Sequence, residues 1–245
     1  MKHGLVLIGV GIVLLIIAAV LFYGGYRARH VNPIQPTPTG GVPTGGTTPS
    51  LSLTSACVSS LAQLSASPSD AITKMPYLTN GALQQSIVDH NQLAYVIATA
   101  EWETGHFQTM FEYYNSEDDL NEAYDGELGN GAYPSTDGFT YRGRGYVQLT
   151  GRGNYQKMGS LLGLDLVDNP DLAADPTIAG RIAGVGMSQG LFTGVSLSDY
   201  ITTPSPIDFV GARAVINGTD QASTIAGYAT NFAGTLGGCG ESFLK

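Results

Sequence analysis

The 245-residue chain is short of charge: Asp, Glu, Lys and Arg together make up 13% of it. What charge there is lies unevenly. The first 50 residues contain no Asp or Glu, and no Lys or Arg stands between Lys74 and Arg142. Residues 51 to 245 hold all 20 acids against 8 cations, a balance of −12, and a chain without clustered cations cannot track phosphates, which excludes nucleic acid as a partner. Four scattered histidines (His3, His30, His90, His106) and two cysteines give no metal-ligand spacing, so neither metal nor cofactor is expected. The lack of any histidine after His106 also disposes of a decoy. Gly186-Met187-Ser188-Gln189-Gly190 fits the nucleophile-elbow pattern, but that motif needs a strand before it and a later base, and this segment reads as the end of a helix.

Sustained alternation of apolar and polar residues is rare and no internal repeat is present, so the pattern is mainly α, with at most a short β-hairpin between about 130 and 150. The spacing predicts helices over 58–66, 82–104, 155–162, 177–189, 207–216 and 221–236. Asp175-Pro176 supplies a cap and a first-position proline, and Gly180, Gly184 and Gly186 mark close packing against a neighbour. Ahead of this domain, residues 4–26 form an uncharged run of 23, enough for the roughly 20 residues that cross a bilayer core. The expected organisation is a transmembrane anchor at 1–30, a Pro/Thr/Gly-rich tether at 31–51 and a single domain at 52–245. The lipid bilayer is then a partner through residues 4–26, and the chain a single-pass membrane protein.

The domain is organised around residues 93–150. Leu93 to Ala100 is apolar or aromatic but for Thr99, which predicts a helix buried on most of its surface, and Glu101 and Glu103 fall in its last turn before the stop at Gly105. Negative charge is disfavoured at that end of the helix dipole, and no cation nearby in sequence compensates it, so a carboxyl that keeps its proton is expected here. Cys57 and Cys239, near opposite ends of the domain, are expected to form a disulfide if the domain faces an oxidising side, two buried thiols being the alternative.

Three segments carry a resemblance: Ala-Thr-Ala-Glu-Trp-Glu-Thr-Gly (98–105), Tyr-Arg-Gly-Arg-Gly-Tyr-Val-Gln-Leu-Thr-Gly-Arg-Gly-Asn-Tyr (141–155) and Ala-Arg-Ala-Val-Ile-Asn-Gly-Thr-Asp (212–220). In this order they resemble glycoside hydrolase family 19, its chitinases and more closely its phage and bacterial wall hydrolases, over roughly residues 80–235. The resemblance implies a lysozyme-like α-helical domain that cuts β-1,4 links by inversion. It implies Glu103 as general acid, Glu112 as second carboxylate in preference to Asp125 or Glu127, Thr150 as holder of a water, and Gln148, Asn154 and Asn217 as substrate-binding residues. Two departures stand out: Trp102 occupies the place of the family's His, and no Arg follows Arg213 where plant-type members carry one. Arg142, Arg144 and Arg152 are expected to pair with the acidic half. The function read from this is a membrane-tethered glycosidase acting on peptidoglycan, suited to a virion or a cell surface, with chitin as alternative polymer and a wall-binding module without turnover as the alternative of another class.

Overall fold

The computed structural model describes residues 51–239. They form α1 (Ser55–Ala62), α2 (Pro68–Gln84), α3 (His90–Glu103), α4 (Glu117–Ala123), α5 (Asp137–Thr140), α6 (Arg152–Leu162), α7 (Pro176–Gln189) and α8 (Ala222–Gly238), with 3₁₀ turns at Pro170–Ala174, Leu197–Asp199 and Gly211–Val215. The middle of α3 is the centre of the core. Asp89 starts this helix by accepting from the N–H groups of Asn91 and Gln92, and every residue from Leu93 to Glu101 is buried, so the apolar run is enclosed on all its faces. Helix α8 packs along it, turning inward Ile225, Ala229, Phe232 and Leu236 at helical spacing.

The second large contact joins α2 to α7, backbone against backbone. A Cβ on Gly180 would lie 2.3 Å from the Tyr77 carbonyl oxygen and one on Gly184 2.5 Å from that of Gly81, so only glycine permits the approach. At Gly186 a Cβ would meet the Phe192 ring. Cys57 of α1 and Cys239 after α8 are joined by a disulfide with a Cα separation of 5.8 Å. Across 182 residues of sequence it stabilises by about 5 kcal/mol in the chain-entropy account.

Two sequence expectations are corrected here. The helix predicted over 82–104 is two helices, because the chain reverses at Ser86 (φ +61°) and restarts at the Asp89 cap. The earlier one, α2, hides behind Pro76 in its interior, a residue that reads as a breaker. The segment 207–216 contracts to the 3₁₀ turn Gly211–Val215. The stretch 130–150, where at most a short hairpin is expected, forms none: among the described residues only isolated bridges occur, Phe111 with Arg144, Arg144 with Leu149 and Ile201 with Ile207. Positive φ at Gly145, Gln148 and Gly151 coils this stretch too tightly for a strand. The acidic segment at 117–127, in contrast, contains α4, capped by Ser116, with Glu117, Asp118 and Asp119 in the first turn, where the helix dipole favours them.

The membrane-spanning helix, and the single-pass location drawn from it, are corrected as well. Among the described residues no helix is long and apolar enough to cross a membrane; α2 and α8, at 17 residues each, reach about 25 Å against a hydrocarbon core of about 30 Å. Residues 4–26, with the tether that follows them, lie outside the described residues.

Candidate active site

Helix α3 ends where its apolar run meets polar partners. Thr104 is the C-cap, Gly105 takes the left-handed conformation (φ +55°), and the two glutamates of the last turn point to different neighbours. The Glu103 carboxyl is 11% exposed, and its Oε1 accepts from Arg213 Nη1 at 2.6 Å. Arg213 comes from the 3₁₀ turn Gly211–Val215, is 2% exposed, and donates through Nε to the Asp220 carbonyl. Burial pushes the Glu103 carboxyl above its ordinary value, Arg213 opposes this in part, and Asp220 adds to the rise. Oε2 takes no hydrogen bond among the described residues, so it is the oxygen on which a proton can sit. No cation near in sequence compensates this carboxyl; the one that does arrives from 110 residues away.

Glu112 lies beyond the turn that follows α3. Its backbone N–H donates to the Gly143 carbonyl, and its carboxyl accepts from the Gly143 N–H (Oε2, 2.8 Å) and the Tyr124 hydroxyl (Oε1, 2.8 Å). Burial raises its titration, while both donors, with Arg142 and Arg144, pull the other way. Each oxygen already accepts a hydrogen, an arrangement made for the carboxylate form. Asp125, by contrast, is exposed and accepts the Tyr133 N–H within its own loop.

Gln148 shares the neighbourhood of Gly143 with Glu112, and Thr150 and Asn154 are linked to Gln148 in a chain of hydrogen bonds. A Cβ on Gly143 would come within 2.6 Å of Gln148 Oε1 and 3.2 Å of Glu112 Oε2, so this position stays bare to let the two side chains flank it. Gln148, left-handed at φ +50°, donates to the Gly145 carbonyl; Thr150 Oγ1 donates to the Gln148 carbonyl (2.9 Å), and Asn154 Nδ2 to the Thr150 carbonyl (2.8 Å). With its hydrogen so placed, the Thr150 hydroxyl, 8% exposed, presents lone pairs and accepts a hydrogen from whatever approaches it. Asn217 belongs instead to the Glu103 side: its N–H donates to the Arg213 carbonyl, and its Oδ1 accepts from the Gly218 N–H, which closes the turn.

The two groups of residues are tied by the chain between them. Gly145 donates to the Met110 carbonyl (2.8 Å), and the buried Phe107 ring packs edge-on to Tyr146 at 6.2 Å. Of the three arginines expected to pair with acids, only Arg144 does, with Asp171 (2.8 Å). Arg142 lies over the Phe139 ring at 4.2 Å, beside Phe111 and Tyr114, and Arg152 makes no salt bridge among the described residues. Trp102 packs half-buried against the core. Ser188 of the decoy motif sits inside α7, donating back to Val185. Among the described residues no cluster of His, Cys, Asp and Glu could hold a metal ion.

The segment containing Glu103, Glu112, Gln148, Thr150 and Asn154 matches the family model described as chitinase class I, over residues 91–186. Residues 91–186 are thus similar to glycoside hydrolase family 19. Arg213 and Asn217 lie beyond the matched part. Chitinase 11 of Oryza sativa subsp. japonica is 40% identical over 105 residues, 38% of this chain and 40% of that protein. The protein named inactive chitinase-like protein 1 of Hevea brasiliensis is 37% identical over 105 residues, 41% of this chain and 33% of that protein. The chain thus spans two fifths or less of the length of these relatives. In fold, chitinase C from Streptomyces griseus HUT6037 superposes with a TM-score of 0.55 at 18% identity, over 76% of each chain.

Two residues of this candidate site, Arg213 and Tyr124, take roles that the sequence alone does not single out. Arg213 was quoted within its motif without a partner, although a lone Arg amid Ala-x-Ala-Val-Ile, an otherwise apolar stretch, is itself a sign of a buried ion pair. Nothing local in the sequence connects Tyr124 with Glu112, twelve residues before it.

Proposed function

We propose that this chain is a glycoside hydrolase that cuts β-1,4 links between N-acetylated amino sugars, with chitin as its polymer. The observation that carries this is the pair of half-buried glutamates in the matched segment, each raised in titration by burial but set in a different environment. Glu103, with Oε2 open, is the general acid that protonates the leaving oxygen, and Arg213 steadies the carboxylate left behind. Glu112, held in its ionised shape by Gly143 and Tyr124, is the base that draws a proton from water, and Thr150 accepts that water's second hydrogen. Gln148, Asn154 and Asn217 bind the glycan alongside. Inversion at the anomeric carbon follows from a base acting through water rather than as nucleophile.

Chitin is preferred to peptidoglycan because the similar proteins carry chitinase names. The test is hydrolysis of chitin oligosaccharides and of purified peptidoglycan by the full chain, with the product anomer read by NMR. Glu103→Gln should lose turnover by about three orders of magnitude or more and Glu112→Gln by about two, both remaining folded. A folded Glu103→Gln variant near wild-type turnover would overturn the acid assignment. Binding without turnover by the wild-type chain would favour the reading as a wall-binding module, to which a relative named inactive gives support.

A further inference from the structure

Glu101 takes no part in the chemistry above, yet it is the most enclosed carboxylate near it, 2% exposed. Its Oε1 accepts three hydrogen bonds from two separate parts of the chain: Ser65 Oγ (3.1 Å) and Ala66 N–H (3.1 Å) from the link between α1 and α2, and His106 Nδ1 (2.7 Å) from beyond the end of α3. The backbone repeats the last contact, for the His106 N–H donates to the Glu101 carbonyl at 2.7 Å. His106 stands in a costly conformation. Gly105, His106 and Phe107 have φ of +55°, +64° and +64°, three left-handed residues in a row, of which only the glycine adopts that shape freely.

Such a turn persists only when its surroundings over-determine it. At one end it is held by Glu101 through His106, whose ring also meets Tyr228 of α8 edge-on at 6.3 Å. At the other end the Phe107 N–H donates to Thr104 Oγ1 (2.8 Å), and the Phe107 ring is locked against Tyr146 in the glycine-rich loop. These clamps sit on the direct backbone run from Glu103 to Glu112. We propose that the Glu101–His106 pair is a latch that holds this left-handed turn and so positions Glu103 against Glu112; both are positioning residues. A carboxylate can only accept, so Nδ1 of the imidazole is the donor, which the charged ring and the Nδ1–H tautomer of the neutral ring both supply. This inference rests on the reading of Glu103 as general acid.

The experiment compares His106→Ala and His106→Asn in the full chain on a soluble chitin hexamer, with Glu103→Gln in parallel and folding followed by thermal melting. Loss of the latch misaims an acid that still binds its substrate, so His106→Ala should lower kcat by about tenfold or more while KM stays within about twofold. Asparagine puts an amide donor near the place of Nδ1 and accepts a left-handed backbone, so His106→Asn should restore kcat to within about twofold of wild type. A folded His106→Ala variant with wild-type kcat overturns the latch, as does His106→Asn falling as far as His106→Ala. If His106→Ala does not fold, His106→Asn alone decides: near wild-type kcat supports the latch and a tenfold loss overturns it. Full turnover by Glu103→Gln overturns the acid assignment itself, whatever the His106 variants do.

Discussion

Arg213→Met is the substitution that bears most directly on how Glu103 is kept. Methionine fills the space of the arginine stem but removes the contact at 2.6 Å to Glu103 Oε1 and the hydrogen bond to the Asp220 carbonyl. Removing one partner of a buried pair costs about 3 to 5 kcal/mol when the other must stay charged. For a domain of roughly 150 to 250 residues each kcal/mol is worth about 2 to 4 °C, so even the low end lowers Tm by about 6 to 12 °C. The cost depends on pH in a definite sense. Glu103 already titrates above its ordinary value, so its folded form favours the proton, and the associated stability is present at low pH and lost as pH rises through the folded value. Taking away the cation removes the largest influence opposing that rise. The Tm gap between wild type and Arg213→Met should therefore be small near pH 4, where the carboxyl is neutral in both, and widen towards neutrality.

The same change should appear in catalysis. A general acid acts only while protonated, so activity is lost as pH rises through its titration, and the basic limb of kcat/KM should move to higher pH in Arg213→Met. Thermal melts across pH 4 to 8 and a kcat/KM profile on chitin hexamer measure both effects. A Tm gap that is constant with pH, or a basic limb that stays put or moves down in a folded variant, would refute the argument that Arg213 acts on Glu103 by charge. Arg213→Lys keeps a charge without the two-sided fork, and should fall between wild type and Arg213→Met in both measurements.

Two further substitutions test the rest of the frame. Tyr124→Phe removes a donor that favours ionised Glu112, so Glu112 should titrate still higher and the acidic limb of kcat/KM, where the base takes up its proton, should shift to higher pH; an unmoved limb would separate Tyr124 from the chemistry. Gly184→Ala puts a methyl 2.5 Å from the Gly81 carbonyl oxygen and forces α2 and α7 apart, so urea unfolding should show a loss of about 1 to 3 kcal/mol or more, whereas unchanged stability would mean that the two backbones do not meet as described.

How much of this is legible in the chain alone can be judged at the end of α3. The enclosure of this helix and its stop are local matters, since Leu93 to Ala100 is apolar but for Thr99 and Gly105 offers a left-handed exit, whereas its start at Asp89 lies hidden within the longer run 82–104. The glycines of α7 are legible for a similar reason, since their recurrence along one helix has few uses besides close approach. Glu101 and Glu103 defeat local reading. They share a turn, a dipole and a lack of neighbouring cations, and nothing in the pattern separates them except the family motif. Two residues are about 200° apart around a helix, so folding sends them to opposite sides. Glu101 turns to the link between α1 and α2 and receives three donors, all neutral or supplied by His106, while Glu103 turns to the 3₁₀ turn at Gly211–Val215 and receives one arginine. Both keep an Oε2 without a hydrogen-bond partner, but that of Glu101 is shut from solvent behind three donors on Oε1, whereas the Glu103 carboxyl still reaches the surface. That difference separates a carboxylate that holds structure from one that can hand over a proton, and it is made by residues 36 and 110 positions away, beyond the reach of any helical or turn signal.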